Sequence, residues 1–422
     1  MLKYIHNTMV FVILSNQQFD SKLKTNKWQV ANQLAKKGHK VIFVDPPLRF
    51  KALKSLGKPI ENKNDNLIIY KPINFLNFKP FSYLNTFSHL NVIKSLIQGL
   101  NTNNEKVVLY IYHFDFPDLR EFKAKFEHDV SVYDCVDIYS AFPEYATGKK
   151  VNPSIVALFQ KIDDFLKIKF NQSGLKLKAW VDDQEKWLCE NVDLVFASAP
   201  GIVTRLNQWR EDVHYLPNAV DFEKFDHKVK DPEPLDIKDI PHPRIGFSGA
   251  IDSYKNNISL IEKCAKTYPN YHFILIGPKK VSDPNLDLTQ LKSMKNVHFL
   301  GEKLWEQTPS YFDHFDAYFI PYNLNDYTIG CHPIKYFEGL AAGLPTLITL
   351  SSVKEFDPDN YVTGDDEQFI KNIEYAINTD NADKRVVRKA LAKQHTWSNK
   401  VEKQLALISA DLPEKINTIS CH

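Results

Sequence analysis

The sequence predicts an α/β protein built from two doubly wound parallel sheets that face each other across a cleft. Short apolar runs alternate with helical patterns, which is the rhythm of consecutive βαβ units. This rhythm stops at a charged, proline-rich stretch, 228–243, and then restarts. The length of 422 residues is too long for one ordinary core and fits two domains of about 200 residues each.

The first half of the chain contains six apolar runs that we predict to be buried strands. Strands of a parallel sheet are covered on both faces, so they occur in sequence as continuous apolar runs. Between the first two runs, residues 28–37 have helical periodicity and end at Gly38, a residue typical of helix ends. The six runs are Val10–Leu14, Val41–Val44, Leu67–Tyr70, Val107–Tyr112, Val130–Tyr133 and Leu194–Ala197.

Five further runs in the second half repeat this alternation. We place the domain boundary within 217–240, so that residues 1–217 form an N-terminal Rossmann-like domain and residues 218–397 a C-terminal one. The five runs are Ile245–Ser248, Phe273–Ile276, His298–Leu300, Ala317–Ile320 and Thr346–Thr349.

Composition and charge exclude several classes of protein. With 43% hydrophobic and 25% charged residues, the chain is typical of folded globular proteins. A net charge of +2 does not indicate a nucleic-acid partner. The five cysteines include no CxxC pair, so we expect reduced thiols rather than a zinc site or a disulfide framework. No run reaches the roughly 18 apolar residues of a membrane span, so we expect a cytoplasmic protein.

The segment 332–345 predicts one short helix followed by a buried strand. Pro333 suits the first helical turn, where a missing N–H group costs nothing. Gly343 suits the left-handed position after the helix, and Pro345 prevents its continuation.

Lys335 is unusual in this helix because a cation in the first turn opposes the helix dipole. Combined with the free backbone N–H groups there, it makes a site for an anion such as a diphosphate. Glu338 lies on the same face and could accept hydrogen bonds from a ribose diol. The alternative is an exposed Lys335–Glu338 pair worth a few tenths of a kcal/mol.

This helix resembles the nucleotide-sugar-binding helix of GT-B-fold glycosyltransferases. The shared pattern is Pro-x-Lys-x-x-Glu/Gln, then small residues, Gly, a spacer and Pro. The resemblance is closest to bacterial enzymes of cell-wall and capsule polysaccharide synthesis, such as the teichuronic-acid-type and xanthan glucuronosyltransferase-like groups. Further matching segments extend along most of the chain and comprise residues 34–41, 193–198, 216–221, 244–249, 273–278, 296–301 and 395–397.

The resemblance implies a hexosyltransferase that uses a nucleotide-diphosphate sugar, with UDP as the favoured nucleotide. Its acceptor would be a saccharide, including a lipid-linked one, and the enzyme could touch the inner membrane face. No metal or other cofactor is implied, because the helix dipole and basic side chains usually replace a divalent ion in this fold. The last segment, 398–422, would form a helix that packs back on the N-terminal domain.

Ligands of doubly wound folds bind at the carboxyl ends of strands, which selects the C-terminal candidates. By resemblance, Ser248 and Gly249 lie beside the donor diphosphate, although the same residues also suit an ordinary strand-to-helix turn. Tyr322 could flank the base or be a packed tyrosine. Backbone groups at Gly277 and Glu302 could contact a uracil edge.

Two positions depart from the pattern of many relatives. Those enzymes carry an Arg and a Lys beyond the first turn, whereas here only Lys255 could serve. They also carry a glutamate facing the donor sugar where this chain has Gly330. The departures leave the donor sugar and the choice between inversion and retention open. Residues 357–359 form a DxD pattern that we interpret as a turn, since Pro358 interrupts it.

Three N-terminal residues are candidates for catalysis. His113 follows a predicted strand, and we consider a role in donor-sugar binding or proton transfer beside a structural one. An inverting transferase needs a base for the acceptor hydroxyl. Asp137 is our first choice and Asp134 our second, although Asp137 could instead cap a following helix over 138–142.

Three basic or aromatic segments, 49–58, 75–84 and 165–170, could contact a membrane surface or a lipid-linked acceptor. The alternative is that they are amphipathic helices packed on their own sheet.

Two other functions remain open: a GT-B sugar-nucleotide epimerase and a noncatalytic GT-B scaffold. A dinucleotide-dependent oxidoreductase is disfavoured, because residues 14–18 after the first strand contain no GxGxxG motif.

Overall fold

The computed structural model confirms the predicted α/β class with two parallel sheets. It describes residues 8–49, 58–74, 82–100, 105–114, 116, 118–142, 174–227, 229–280, 283 and 285–419. Most of segments 49–58 and 75–84, and all of 165–170, lie outside these described residues. No helix among the described residues combines the length and the apolar composition needed to cross a bilayer.

The first sheet has eight strands in the order β10-β9-β8-β7-β1-β2-β5-β4, and all neighbours are parallel except β4 and β5. Strand β1 is central, with Val10 opposite Lys40 on one side and Val107 on the other. Two short strands, β3 and β6, pair separately. The strands of this half are β1 Met9–Leu14, β2 Lys40–Val44, β3 Leu48–Arg49, β4 Ile60–Asn64, β5 Leu67–Tyr70, β6 Ile73–Asn74, β7 Lys106–Ile111, β8 Val130–Cys135, β9 Leu194–Ala197 and β10 Val213–Tyr215.

The second sheet has five parallel strands in the order β13-β12-β11-β14-β15. The chain order reverses between β11 and β14, and such a switch point leaves a ligand-binding crevice at the carboxyl ends of these two strands. The strands are β11 Arg244–Ser248, β12 His272–Ile276, β13 Val297–Gly301, β14 Ala317–Ile320 and β15 Thr346–Ile348.

Helices cover both sheets, as a doubly wound fold requires. They are α1 Asn26–Lys36, α2 Ser82–Gly99, α3 Leu119–Lys125, α4 Gly174–Asn191, α5 Pro200–Leu206, α6 Phe222–Phe225, α7 Ile258–Thr267, α8 Thr289–Ser293, α9 Thr308–Phe312, α10 Ile334–Ala341, α11 Asp366–Thr379, α12 Ala382–Gln394 and α13 Trp397–Ile419. Single 3₁₀ turns occur at Tyr139–Ala141, Thr328–Gly330 and Ser351–Phe356.

Three buried clusters form the core. One surrounds the second sheet, and the other two lie on the two faces of the first sheet. The last helix, α13, packs on α1 and β8, and its Trp397, Val401, Leu405 and Ile408 are buried in a cluster of the first sheet. The chain therefore returns to its N-terminal half after completing the second sheet.

Candidate active site

Helix α10 begins at the crevice of the second sheet, and its ends largely follow the sequence prediction. Gly343 has φ +79°, the left-handed conformation expected after the helix. Pro333 differs slightly: it lies one residue before the helix, at the cap position, with an extended ψ of 120°. Lys335 is therefore the second helical residue, within the turn that has free N–H groups.

The Lys335 ammonium lies over two aromatic rings, 5.1 Å from the Phe247 centroid and 5.5 Å from that of Tyr322. Within the described part of the chain, it forms no ion pair at 4.0 Å or less. Burial lowers the pKa of Lys335, and the nearby Glu338 and Asp252 oppose that shift. The Lys335–Glu338 pair is thus not the exposed surface pair of the alternative interpretation.

Two glycines make room for this lysine. Gly249 has φ +141°, and a Cβ atom there would overlap the Lys335 ammonium. Gly277 has φ +145°, and a Cβ atom there would overlap the carbonyl of Gly249. Their amides are already used, because Gly249 donates to Ile276 O and Gly277 to Gly301 O, each at 2.8 Å. Both residues therefore contribute space at this wall of the crevice, not free N–H donors.

Two residues predicted to line this crevice, Ser248 and Tyr322, have side chains that are packed against the protein. The hydroxyl of Ser248 pairs with the Tyr318 hydroxyl at 2.6 Å, inside the sheet, and does not extend toward a diphosphate. Tyr322 is only 6% exposed, so it has no open face for a nucleobase. It packs beneath the Lys335 ammonium instead, and its backbone N–H donates to Thr349 Oγ1 at 2.9 Å. The packed alternative for Tyr322 is the correct one.

Glu338 lies on the same helical face as Lys335, and the pKa of its carboxyl is unusually high. Burial raises the pKa of this carboxyl to about 7, and Lys335, a hydrogen bond from Trp305 and the charge of Lys224 oppose that shift. The Lys224 ammonium also lies 4.0 Å from the Trp305 ring centroid. Glu338 is therefore positioned to accept hydrogen bonds at the mouth of the crevice, with Trp305 as its neighbour.

Glu302 contacts the other half of the molecule. Its carboxylate pairs with Lys22 at 2.9 Å, and both side chains are exposed, at 42% and 67%. Three residues later, Trp305 meets Trp28 of the first half edge to face, with 5.9 Å between ring centroids. The side chain of Glu302 is thus directed across the cleft toward the first half. Trp305, and not Glu302, is a neighbour of the Glu338 carboxyl.

His113 follows β7 at the switch point of the first sheet but is only 3% exposed. Its ring stacks on Phe114 at 4.1 Å and meets Tyr139 at 4.3 Å. Burial, aided by the charge of Lys27, lowers the pKa of His113 to about 3. It is neutral near pH 7 and is too weak a base for the proton-transfer role, which leaves a contact with the donor sugar and a structural role as its remaining predicted roles.

Asp134 cannot be the base that we proposed as second choice. It is fully buried, and it accepts hydrogen bonds from the Tyr110 hydroxyl at 2.7 Å and from Gln404 Nε2 at 3.3 Å. Because Gln404 belongs to α13, Asp134 joins the last helix to the first sheet. Its role is structural.

Asp137 lies between the two halves and is partly exposed. Burial raises its pKa, whereas Lys27 and Lys255 lower it, and so does the Tyr327 hydroxyl. Lys27 belongs to the first half, but Lys255 and Tyr327 belong to the second. Among the described residues, no hydrogen bond to the Asp137 side chain caps the short turn at 139–141, which begins after Ile138. The described residues therefore do not support the capping alternative.

The departure at Gly330 has a structural reason. A Cβ atom on Gly330 would overlap the Ile138 side chain of the other half. The adjoining Tyr327 ring also meets Phe142 edge to face at 4.8 Å. The two halves approach so closely here that a glutamate would not fit without a shift.

The structure adds four residues that the sequence interpretation did not assign to the site: Lys27, Trp28, Trp305 and Tyr327. It also confirms the interpretation of 357–359 as a turn. Asp357 accepts backbone N–H groups of Tyr361 at 3.1 Å and Val362 at 2.8 Å, and Asp359 pairs with Arg388.

Two Rossmann-like halves, each built on its own parallel sheet, are the arrangement of the GT-B fold. Comparison with known proteins agrees with this class. Residues 242–379 match the family described as "Glycosyl transferases group 1". Over 308 residues the chain is 24% identical to the putative teichuronic acid biosynthesis glycosyltransferase TuaH of Bacillus subtilis (strain 168), covering 71% of this chain and 70% of that protein.

Solved structures share the fold along nearly the whole chain. A glycosyltransferase from Rickettsia africae has a TM-score of 0.65 at 14% identity, covering 96% of this chain and 99% of its own. Sucrose-phosphate synthase from Thermosynechococcus elongatus has a TM-score of 0.62 at 12% identity, covering 98% and 100%. Anabaena HepE in complex with UDP has a TM-score of 0.61 at 13% identity, covering 96% of this chain and 100% of its own. The chain therefore has the GT-B fold and is a glycosyltransferase, and its residues 242–379 match the group 1 glycosyl transferase family.

Proposed function

We propose that this enzyme transfers a hexosyl-type sugar from a UDP-linked donor to a saccharide acceptor in the synthesis of a cell-surface polysaccharide. The relative from Bacillus subtilis is named for teichuronic acid biosynthesis, and solved neighbours of the same fold carry UDP or UDP-glucose. A lipid-linked acceptor at the cytoplasmic face of the membrane would suit this role.

The observation that carries the proposal is the half-buried ammonium of Lys335 at the start of α10, which forms no ion pair within the described chain. A cation partly withdrawn from water without a counter-ion is unfavourable unless an anion joins it. The helix start adds N–H groups and a positive dipole end, so a diphosphate is the expected partner. Gly249 keeps the approach open, and Glu338 lies one turn further for the ribose hydroxyls.

In the proposed reaction, the acceptor hydroxyl oxygen bonds to the anomeric carbon of the donor sugar. The bond between that carbon and the diphosphate oxygen breaks, and its electron pair leaves with the diphosphate. Lys335 and the helix start stabilise the charge that grows on the leaving group. If the reaction inverts the anomeric centre, Asp137 accepts the hydroxyl proton. Neutral His113 would contact the sugar.

The test is to incubate the purified enzyme with UDP-, GDP- and ADP-linked hexoses and uronic acids, with and without extracted lipid-linked saccharides. We expect acceptor-dependent release of UDP and a lengthened saccharide, measured by mass spectrometry. Lys335→Met should lower turnover by about 100-fold or more, the size usual for one lost electrostatic contact to a transition state.

Lys371→Met is the matched control, because Lys371 is an exposed lysine on α11 of the same half. It should retain normal turnover, and circular dichroism should show that both variants are folded. Isomerisation of the donor without an acceptor would identify an epimerase instead. Binding without turnover of any donor would favour the noncatalytic scaffold.

A further inference from the structure

Residues 216–220 form the linker that leads from the first half to the second, and the proposed reaction gives them no part. The linker begins firmly attached to the first half. The Leu216 N–H donates to Ala197 O of β9 at 2.9 Å. The ammonium of the buried Lys400, on α13, donates to Leu216 O at 2.9 Å. The start of the linker therefore continues the first sheet and is also held by the last helix.

The far end of the linker is held by the segment that returns the chain to α13. The Val220 N–H donates to His395 O at 2.9 Å, and the Trp397 N–H donates to Val220 O at 3.3 Å. Trp397 is the first residue of α13 and is buried in a core cluster of the first sheet. Both ends of the linker are thus fixed to elements that pack on the first half.

The side chain of Asn218, in the middle of this linker, contacts both halves. Its Nδ2 donates to the carbonyl oxygen of His332 at 2.8 Å, in the turn that leads into α10. Its Oδ1 accepts from Nδ2 of Asn26, the first residue of α1, at 3.4 Å. All three residues are buried, with exposed fractions of 7%, 3% and 4% for Asn218, His332 and Asn26. A buried hydrogen-bonded chain therefore joins the start of α1 to the start of α10.

His332 depends on this bond because its own side chain provides no polar anchor. Among the described residues, neither of its ring nitrogens has a hydrogen-bond partner. The ring packs instead on Phe337 and Phe356, with centroid distances of 5.4 and 5.6 Å. A buried carbonyl that loses its donor is costly, so the bond from Asn218 resists any displacement of this turn from the linker.

We propose that Asn218 is a positioning residue that fixes the start of α10, and with it the Lys335 ammonium, relative to the first half. The inference rests on the proposed function, because it assigns Asn218 a part in presenting the donor diphosphate to the cleft. Asn218 touches neither substrate and acts through the backbone of His332.

The two hydrogen bonds of Asn218 can be removed separately. Asn218→Asp is nearly isosteric, loses the donor to His332 O and keeps an acceptor for Asn26. Asn26→Ala removes only the bond to α1. We expect the Kd for UDP to rise about five- to tenfold in Asn218→Asp and Asn218→Ala, the size of one lost hydrogen bond. The rise in Asn26→Ala should be smaller, because a 3.4 Å bond is at the long end of the range.

The experiment measures UDP affinity by calorimetry for the native enzyme, these three variants and the double variant Asn26→Ala/Asn218→Ala. The double variant should bind no more weakly than Asn218→Ala, because the chain is already broken there. Asn207→Ala is the control, since Asn207 is exposed at the end of α5, and its affinity should be native. Circular dichroism checks that each variant is folded.

A purely structural asparagine would give a different result. It would lower the urea midpoint and leave the UDP affinity of the folded protein unchanged. Native UDP affinity in both Asn218 variants would therefore overturn the inference. Fully additive losses in the double variant would overturn the path through Asn26.

A second measurement needs no donor and separates this inference from the proposed function. Spin labels on keto amino acids replace the exposed Lys36 of α1 and Lys371 of α11, and pulsed electron resonance records the distance between them in the free enzyme. We expect a broader distribution in Asn218→Ala than in the native enzyme and Asn207→Ala. An unchanged distribution would overturn the positioning role. A native enzyme that binds no nucleotide would contradict the proposed function, and the distances would still decide whether Asn218 fixes the two halves.

Discussion

At the scale of single residues, the site consists of charges held where water is largely excluded. The Lys27 side chain is only 6% exposed, those of Lys335 and Glu338 are half-buried, and the pKa of the Glu338 carboxyl is raised to about 7. Each of these groups would be more stable in solvent, so none is explained by the stability of the fold. Charges of this kind are typical of sites that complete their pairing with a ligand.

We expect Glu338 to make the proposed binding of UDP dependent on pH near neutrality, because the pKa of its carboxyl is raised to about 7. The ionised carboxylate of Glu338 can accept hydrogen bonds from two hydroxyl groups. The protonated carboxyl carries one O–H group, which donates a hydrogen bond and leaves less capacity to accept from a ribose diol. We therefore expect the affinity for UDP to increase several-fold from pH 6 to pH 8, measured by calorimetry. UDP also loses a phosphate proton in this range, so Glu338→Gln serves as the control. Its pH dependence should be weaker than that of the native enzyme, and an equal dependence would contradict the role of Glu338.

A substitution of Gly249 would introduce both backbone strain and a steric overlap. A matched substitution of Gly38 separates these two effects. Gly249→Ala adds a Cβ atom at φ +141° in the space of the Lys335 ammonium. We expect a loss of stability of about 1–3 kcal/mol and a large loss of UDP affinity. Gly38 has φ +88° but no atom within 4 Å of a Cβ, so Gly38→Ala has the strain alone. It should destabilise the fold in urea without changing UDP affinity.

At the scale of elements, the buried parallel strands were predictable because an apolar run covered on both faces has few other solutions. The strand β4 was not predicted, because Ile60–Asn64 is a polar, exposed antiparallel edge strand. The two-residue strands β3 and β6 are too short to leave a pattern.

The local patterns of helices and strands also determine which site residues could be predicted from the sequence. The sequence identified Lys335 because a cation stood inside a clearly bounded helix. Lys27 had the same feature, but the helical pattern was placed from Trp28 onward, two residues after the helix begins at Asn26. The packing of the Ser248 and Tyr322 side chains was not predicted, because an apolar run does not specify toward which face of the sheet a side chain at the strand end points. The place of Trp305 in the site could not be predicted, because its contact with Trp28 joins two distant parts of the chain and no local sequence pattern encodes such a contact.

The last helix should stabilise the first half of the molecule. Leu405 on α13 is 1% exposed within a core cluster of the first sheet. Leu405→Ala should therefore lower stability by about 2–5 kcal/mol and reduce the urea midpoint, followed by circular dichroism. Lys403, two residues earlier, is exposed. Lys403→Ala should stay within about 0.5 kcal/mol of the native enzyme. Equal effects of the two substitutions would mean that α13 is not part of this core.

At the scale of the whole molecule, the two halves meet through contacts of different strength. The Lys22–Glu302 ion pair is exposed on both sides, and such pairs contribute about 0–1 kcal/mol. The Trp28–Trp305 contact excludes more apolar surface, and aromatic pairs add about 0.5–1.5 kcal/mol beyond area burial. Because Trp305 also lowers the pKa of the Glu338 carboxyl, this second contact links the meeting of the two halves to the proposed ribose-binding residue.

Trp28→Ala should therefore raise the donor KM by about tenfold, whereas Lys22→Ala should change it by less than about threefold. Salt provides an independent check, because it screens an exposed ion pair but not an aromatic contact. Raising ionic strength should reproduce the small effect of Lys22→Ala and leave that of Trp28→Ala unchanged. Small-angle scattering with UDP should show a more open molecule for the tryptophan variant alone. If Lys22→Ala had the larger effect, and salt abolished it, long-range charge and not the tryptophan pair would hold the cleft closed.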